Sequence, residues 1–200
     1  GVDIEPQPRY PYSFDQADAL EYLREYGYYF DAFHASPPCQ AHTNAQKIRG
    51  NDHPDLIAPT RNLLGDLGKP FVIENVPGAP LRAPVEICGS MFGLETYRHR
   101  LFETNWELTV PAHPEHVART TKMGRPPQHG EFMHVVGNFS GVDRGREVMG
   151  MPWANRDGLR EAIPPAYTEF IGRQLMREVL PDDPSVPLTS TQLVSLARYG

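Results

Sequence analysis

The chain has 200 residues, 40% hydrophobic and 10% aromatic, with a net charge of −6: enough for one domain with a true core, and too acidic for a uniformly basic nucleic-acid binder. No apolar run approaches the ~18 residues of a membrane span, and no signal-peptide pattern opens the chain. Two cysteines without a CxxC spacing give neither a disulfide framework nor a Cys-rich zinc site, and suit a reducing cytoplasm.

Gly1-Val2-Asp3-Ile4 reads as the end of a strand with an acid at its tip. A short strand is expected over 13–17. Asp18 then caps a helix over 19–26, which Gly27 stops. An apolar strand over 29–35 runs into Ser36-Pro37-Pro38-Cys39-Gln40. Residues 41–53 are polar and carry the loop signal Gly50-Asn51-Asp52. Pro54 starts a helix to 67, with Leu56, Ile57, Leu63, Leu64 and Leu67 apolar. Gly68 ends it, and a strand over 71–74 leads into Glu74-Asn75-Val76. This alternation predicts an α/β fold with a parallel sheet.

From 77 to 150 the chain is rich in Pro, Gly and His, with strands expected only over 102–108 and 133–136. It reads as a small irregular recognition module. The last helix is expected from Pro164-Pro165. Its residues Tyr167, Phe170, Ile171, Gln174, Leu175 and Val179 form a face that packs back on the sheet. A linker at 181–184 and a short tail follow. The basic residues concentrate between Arg98 and Arg146, which favours contact with a polyanion there. His113-x-x-His116, with His129 and His134 downstream, fits no standard finger spacing, and no metal is expected.

Cys39 and Glu74 carry the chemistry. Each follows an apolar strand, and two parallel strands would bring a thiol and a carboxyl into one crevice at their carboxyl ends. That pair suits covalent attack on a ring that must also be protonated. Cys39 alone would read as a buried structural cysteine. A carboxyl in an apolar strand-end pocket has the raised pKa that proton donation needs. Asn75 either fixes its loop or contacts the base, and Asp18 is either a plain helix cap or a ligand to an adenine amine.

SPPCQ, then IENV, then Arg98-His99-Arg100-Leu101-Phe102 resemble, in this order, the catalytic segments of the DNA cytosine-5 methyltransferases. The resemblance covers most of residues 1–180. Thr96 stands where that family usually has Gln, and Ala162-Ile163 where it has Asn-Val before Pro-Pro. It implies a Rossmann-like S-adenosylmethionine-dependent sheet with a small irregular recognition insertion. The core would be 1–101, the recognition region 102–143, the return to the core 144–180 and the tail 181–200. The family's first strand and Phe-x-Gly-x-Gly loop have no counterpart here, so a fragment is expected.

The resemblance also implies roles. Cys39 would attack C6 of cytosine and Glu74 would protonate N3. Arg98 would contact O2, with Arg100 beside the thiolate and carboxylate. Arg98 and Arg100 alternate on an expected strand and so would share a face. Asp3, Ile4, Asp18 and Pro38 would hold the cofactor S-adenosylmethionine. Gln40 and Asn75 would face the target base, and Arg119, Lys122 and Arg125 would bind double-stranded DNA through phosphates and base edges. The compact size suits a phage or prophage enzyme acting in the cytoplasm. Two rivals stand beside this reading: a catalytically incomplete DNA-binding homologue, and an RNA (tRNA) cytosine-5 methyltransferase.

Overall fold

Asp18 begins the first helix as expected. Its carboxylate accepts from the Leu20 and Glu21 amides, and α1 runs Ala19–Tyr26. A computed structural model describes residues 1–38 and 55–180. Gly27 does not end α1 by a left-handed turn. Its φ is −55° and the chain continues as a 3-10 turn over Gly27–Tyr29. Glycine is required for another reason: a Cβ there would lie 2.6 Å from Leu67 Cδ1, so α1 approaches the second helix, α2 (Ile57–Leu67), at this point. The strand expected over 29–35 is correspondingly shortened to β3, Phe33–Ala35. Asp55, through its side chain, accepts from the Ile57 amide to start α2, and left-handed Gly68 ends it.

The fold is α/β with a mixed sheet, not a parallel one. β1 (Val2–Asp3) and β2 (Asp15–Gln16) form a separate parallel pair. The main sheet has the order β3-β4-β6-β5, with β4 Phe71–Asn75, β5 Val85–Ile87 and β6 Arg100–Thr104. β3 and β4 are parallel, whereas β6 is antiparallel to both β4 and β5. β6 starts two residues before the expected strand at 102. The strand expected at 133–136 is absent; nearby, only an isolated Thr120–Phe132 bridge forms.

Side chains of β4 alternate between two cores, as a strand buried on both faces must. Phe71 and Ile73 pack with Phe33 and Leu64 on the α2 side. Val72 packs with Ile87, Phe102, Leu108, Tyr167 and Ile171 on the other, beneath the long helix α5, Pro165–Val179. Each such fully buried side chain is worth about 1.5–3 kcal/mol. The expected face of α5 is the one that docks, with Tyr167, Ile171 and Gln174 buried.

The irregular segment has a core of its own. Met133, Val135 and Phe139 pack with Val148, Met149, Ala154 and Leu159 of two unforeseen short helices, α3 (Val142–Met149) and α4 (Arg156–Glu161), and the segment before α4. This core spans the boundary expected at 143/144, and β6 spans the one expected at 101/102. Among the described residues, no helix is long and apolar enough to cross a membrane.

Candidate active site

β3 and β4 end side by side. Their parallel register pairs Ala35 with Ile73, so Ser36 and Pro37 run on beside Glu74 and Asn75. Asn75, 1% exposed, donates through Nδ2 to the Pro37 carbonyl at 2.9 Å and accepts the Val76 amide at its own Oδ1. It fixes the loop, the structural half of its expected role. Cys39 and Gln40 lie outside the described residues. Pro38, the last residue before them, is exposed.

Glu74 is 7% exposed. By strand alternation it lies on the Val72 face, opposite Phe102. Burial pushes its carboxyl above the ordinary range; the nearby Arg100, a hydrogen bond with Ser36, and Arg98 each oppose the rise without cancelling it. Arg100 Nε sits 3.0 Å from Glu74 Oε1, and its Nη1 donates to the His99 carbonyl. The result is a carboxyl held in place and able to carry a proton.

Arg98 departs from the expected geometry. It precedes β6 with φ of +30°, so it does not share a strand face with Arg100. Its buried guanidinium donates to the carbonyls of Val135 and Arg160 and, through Nε at 2.7 Å and a second short bond from Nη2, to Ala162. It clamps the module of α3 and α4 onto the sheet. The turn is buttressed by Tyr167, whose hydroxyl, with its pKa raised by burial, donates to the Arg98 and Tyr97 carbonyls. A cavity of about 310 Å³ opens here, lined by residues 96–100 and by Thr120, His134, Val135 and Val136.

The expected cofactor residues lie on the β1–β2 pair and α1. Asp3 accepts from the Glu5 amide and from Gln7 Nε2, and Ile4 beside it is 66% exposed. Asp18 is the cap of α1, and a single carboxylate oxygen accepts both amide bonds. α1 packs on β1 and on α2, and α2 packs on β4. The two ends of the expected site therefore belong to one continuous packing.

Of the expected DNA contacts, Arg119 and Lys122 are exposed. Arg125 is not an open cation: it forms a two-pronged ion pair with Glu131. Sequence reasoning missed Ser36 and the clamping role of Arg98. Ser36 stood in the quoted motif but carried no signal of its own. The chain matches no protein-family model and no curated protein.

Proposed function

We propose that the protein transfers a methyl group from S-adenosylmethionine to C5 of cytosine in DNA, with a Rossmann-like catalytic core. The buried Glu74 carboxyl carries this reading. It is poised to hold a proton at the end of β4, beside the end of β3, from which the chain runs through Pro38 directly to Cys39.

Asp3 and Ile4 suit a nucleoside cofactor. A carboxylate at a strand tip can accept ribose hydroxyls, and the exposed apolar side chain next to it offers a stacking surface. S-adenosylmethionine, when bound, supplies an electrophilic methyl group. The Cys39 thiolate forms a bond to C6 of the ring while Glu74 gives its proton to N3, which makes C5 nucleophilic. Once C5 carries the methyl, a base removes the C5 proton and the S–C6 bond breaks, returning the thiolate. The target base must leave the duplex stack, because C6 is shielded within it. Arg119 and Lys122, both exposed, would meet phosphates in this reading.

Nucleoside mass spectrometry of DNA incubated with the protein and S-adenosylmethionine tests this. New 5-methylcytosine that disappears with Cys39→Ala is expected. A folded protein that modifies tRNA and not DNA would move the substrate to RNA. One that binds DNA and modifies neither would leave the binding homologue.

A further inference from the structure

Four side chains with metal-ligating atoms converge at the end of β5 and β6 away from Glu103. Cys88 directly follows β5 and His99 directly precedes β6; the antiparallel register that pairs Ile87 with Arg100 sets these two side by side. The chain leaves β6, crosses Leu108, which is anchored in the core beneath α5, and returns with His113 and His116. The ligand atoms of Cys88, His99, His113 and His116 all lie within 4.8 Å of one another.

Two contacts inside the group have the length found in a coordination shell. His99 Nε2 and His113 Nε2 are 3.2 Å apart, and Cys88 Sγ and His116 Nε2 are 3.3 Å apart. Around a tetrahedral zinc, with Zn–N near 2.0–2.1 Å and Zn–S near 2.3 Å, neighbouring ligand atoms are separated by about 3.3–3.6 Å. The three imidazoles meet through Nε2, an arrangement in which protonated rings would repel one another. Glu86 Oε1 lies 3.8 Å from His99 Nε2.

The surroundings hold the ligands in place. Cys88 is buried; its carbonyl accepts the Met91 amide of the following 3-10 turn, its own amide donates to Met91 Sδ, and its sulfur lies 3.1 Å from Ser90 Oγ. That turn is drawn tight by the Gly89 amide, which donates to the Tyr97 carbonyl, and a Cβ on Gly89 would fall 2.0 Å from the Thr96 oxygen. Tyr97 stacks on the His116 ring at 3.6 Å and 18°, and its hydroxyl is tied to the Ala118 backbone. Partners of this kind orient metal ligands.

We infer that Cys88, His99, His113 and His116 bind one structural zinc ion. Three nitrogens and one thiolate form a closed tetrahedral set of borderline softness, which suits zinc. Binding releases the Cys88 thiol proton and leaves no open position for substrate. The ion pins residues 109–118 to the sheet beside the cavity that Arg98 and Arg100 line. The sequence reading considered His113 and His116 with His129 and His134. The structure groups the first two instead with a cysteine and a histidine that only strand pairing brings near.

The test uses the full chain without a polyhistidine tag, expressed with zinc and passed over a weak chelator. Elemental analysis should find about one zinc per chain. His113→Ala and His116→Ala, both at exposed positions, should lose it while keeping a native far-ultraviolet spectrum. His129→Ala and Cys39→Ser should retain it. Cobalt(II) in place of zinc should give intense tetrahedral visible bands and a sulfur-to-metal charge-transfer band that Cys88→Ser removes. A folded, metal-supplemented chain without stoichiometric zinc and without those cobalt bands would overturn the assignment. So would zinc that survives both His113→Ala and His116→Ala.

Discussion

The β4–β6 ladder carries an arginine–glutamate pair on each of its faces, and the two are built oppositely. On the α2 face, Glu103 meets Arg61 through two bonds, Nε to Oε1 and Nη2 to Oε2 at 2.7 Å. Both side chains are below 10% exposed. Arg61 also donates to the Pro80 carbonyl, and Glu103 accepts the Arg82 amide. On the α5 face, Glu74 meets Arg100 through one contact at 3.0 Å, and burial still holds its carboxyl above the usual range. The saturated pair is tied on both partners to the backbone as well as to each other, and serves structure. The unsaturated pair leaves Glu74 with the raised carboxyl that the proposed role of acid calls for.

Breaking the saturated pair gives the largest expected effect. Glu103→Ala strands the Arg61 guanidinium in the interior, and about 3–5 kcal/mol of stability should be lost, read from the urea midpoint. The double change Arg61→Met, Glu103→Leu removes both charges and should recover most of that loss. A double variant as unstable as the single would show that the polar contacts to Pro80 and Arg82, rather than the uncompensated charge, dominate.

Changing the unsaturated pair should separate activity from stability. Glu74→Gln keeps the shape and an acceptor for Arg100 but cannot give a proton to the ring. Methyl transfer should fall by about 10²–10⁴-fold with little change in the unfolding midpoint at neutral pH. The pH dependence sharpens this. Because the folded-state pKa of Glu74 is raised, the native state binds its proton more tightly than the unfolded chain. Stability therefore declines as pH rises from the ordinary carboxyl value through the raised one. Glu74→Gln should abolish that decline, whereas the same slope in wild type and variant would place its origin elsewhere.

How much of this could be read from the chain depended on how local each signal was. α1 with its Asp18 cap, α2 with Gly68, β4 and α5 all rest on periodicity or on a capping residue a few positions away. β5 has three residues and no alternation to announce it. In α3 the pattern is largely polar, and its buried Gly145 is explained by Phe139 and Leu159, which would lie 2.9 Å and 3.4 Å from a Cβ there. Cys88 and His99 are eleven positions apart in sequence, and the β5–β6 register alone makes them neighbours. At the candidate site the same division holds. The burial of Glu74 was legible from the apolar strand near whose end it lies. Arg98 was misread because alternate arginines imitate a strand, while its left-handed backbone follows from contacts more than 30 residues away.

The smallest expected effect probes the joint between the two halves of that comparison. Tyr167 on α5 is fully buried, and its hydroxyl bonds the carbonyls of Tyr97 and Arg98, the residues that turn the chain into β6 two positions before Arg100. Tyr167→Phe keeps the ring packed against Phe92 and Phe102. It removes the one hydroxyl hydrogen that the Arg98 and Tyr97 carbonyls share, the Tyr97 carbonyl keeping its bond from the Gly89 amide, which should cost about 1 kcal/mol. Arg100 hangs from the same turn, so methyl transfer should also fall several-fold, while the Arg61–Glu103 face should be untouched. A double-mutant cycle with Glu103→Ala checks this. The stability losses should add within about 0.5 kcal/mol, because the sites share no partner and lie on opposite faces of the sheet. Strong coupling between them would mean that the two faces of the ladder do not act independently, and that the Glu74–Arg100 pair draws its position from the Arg61–Glu103 one.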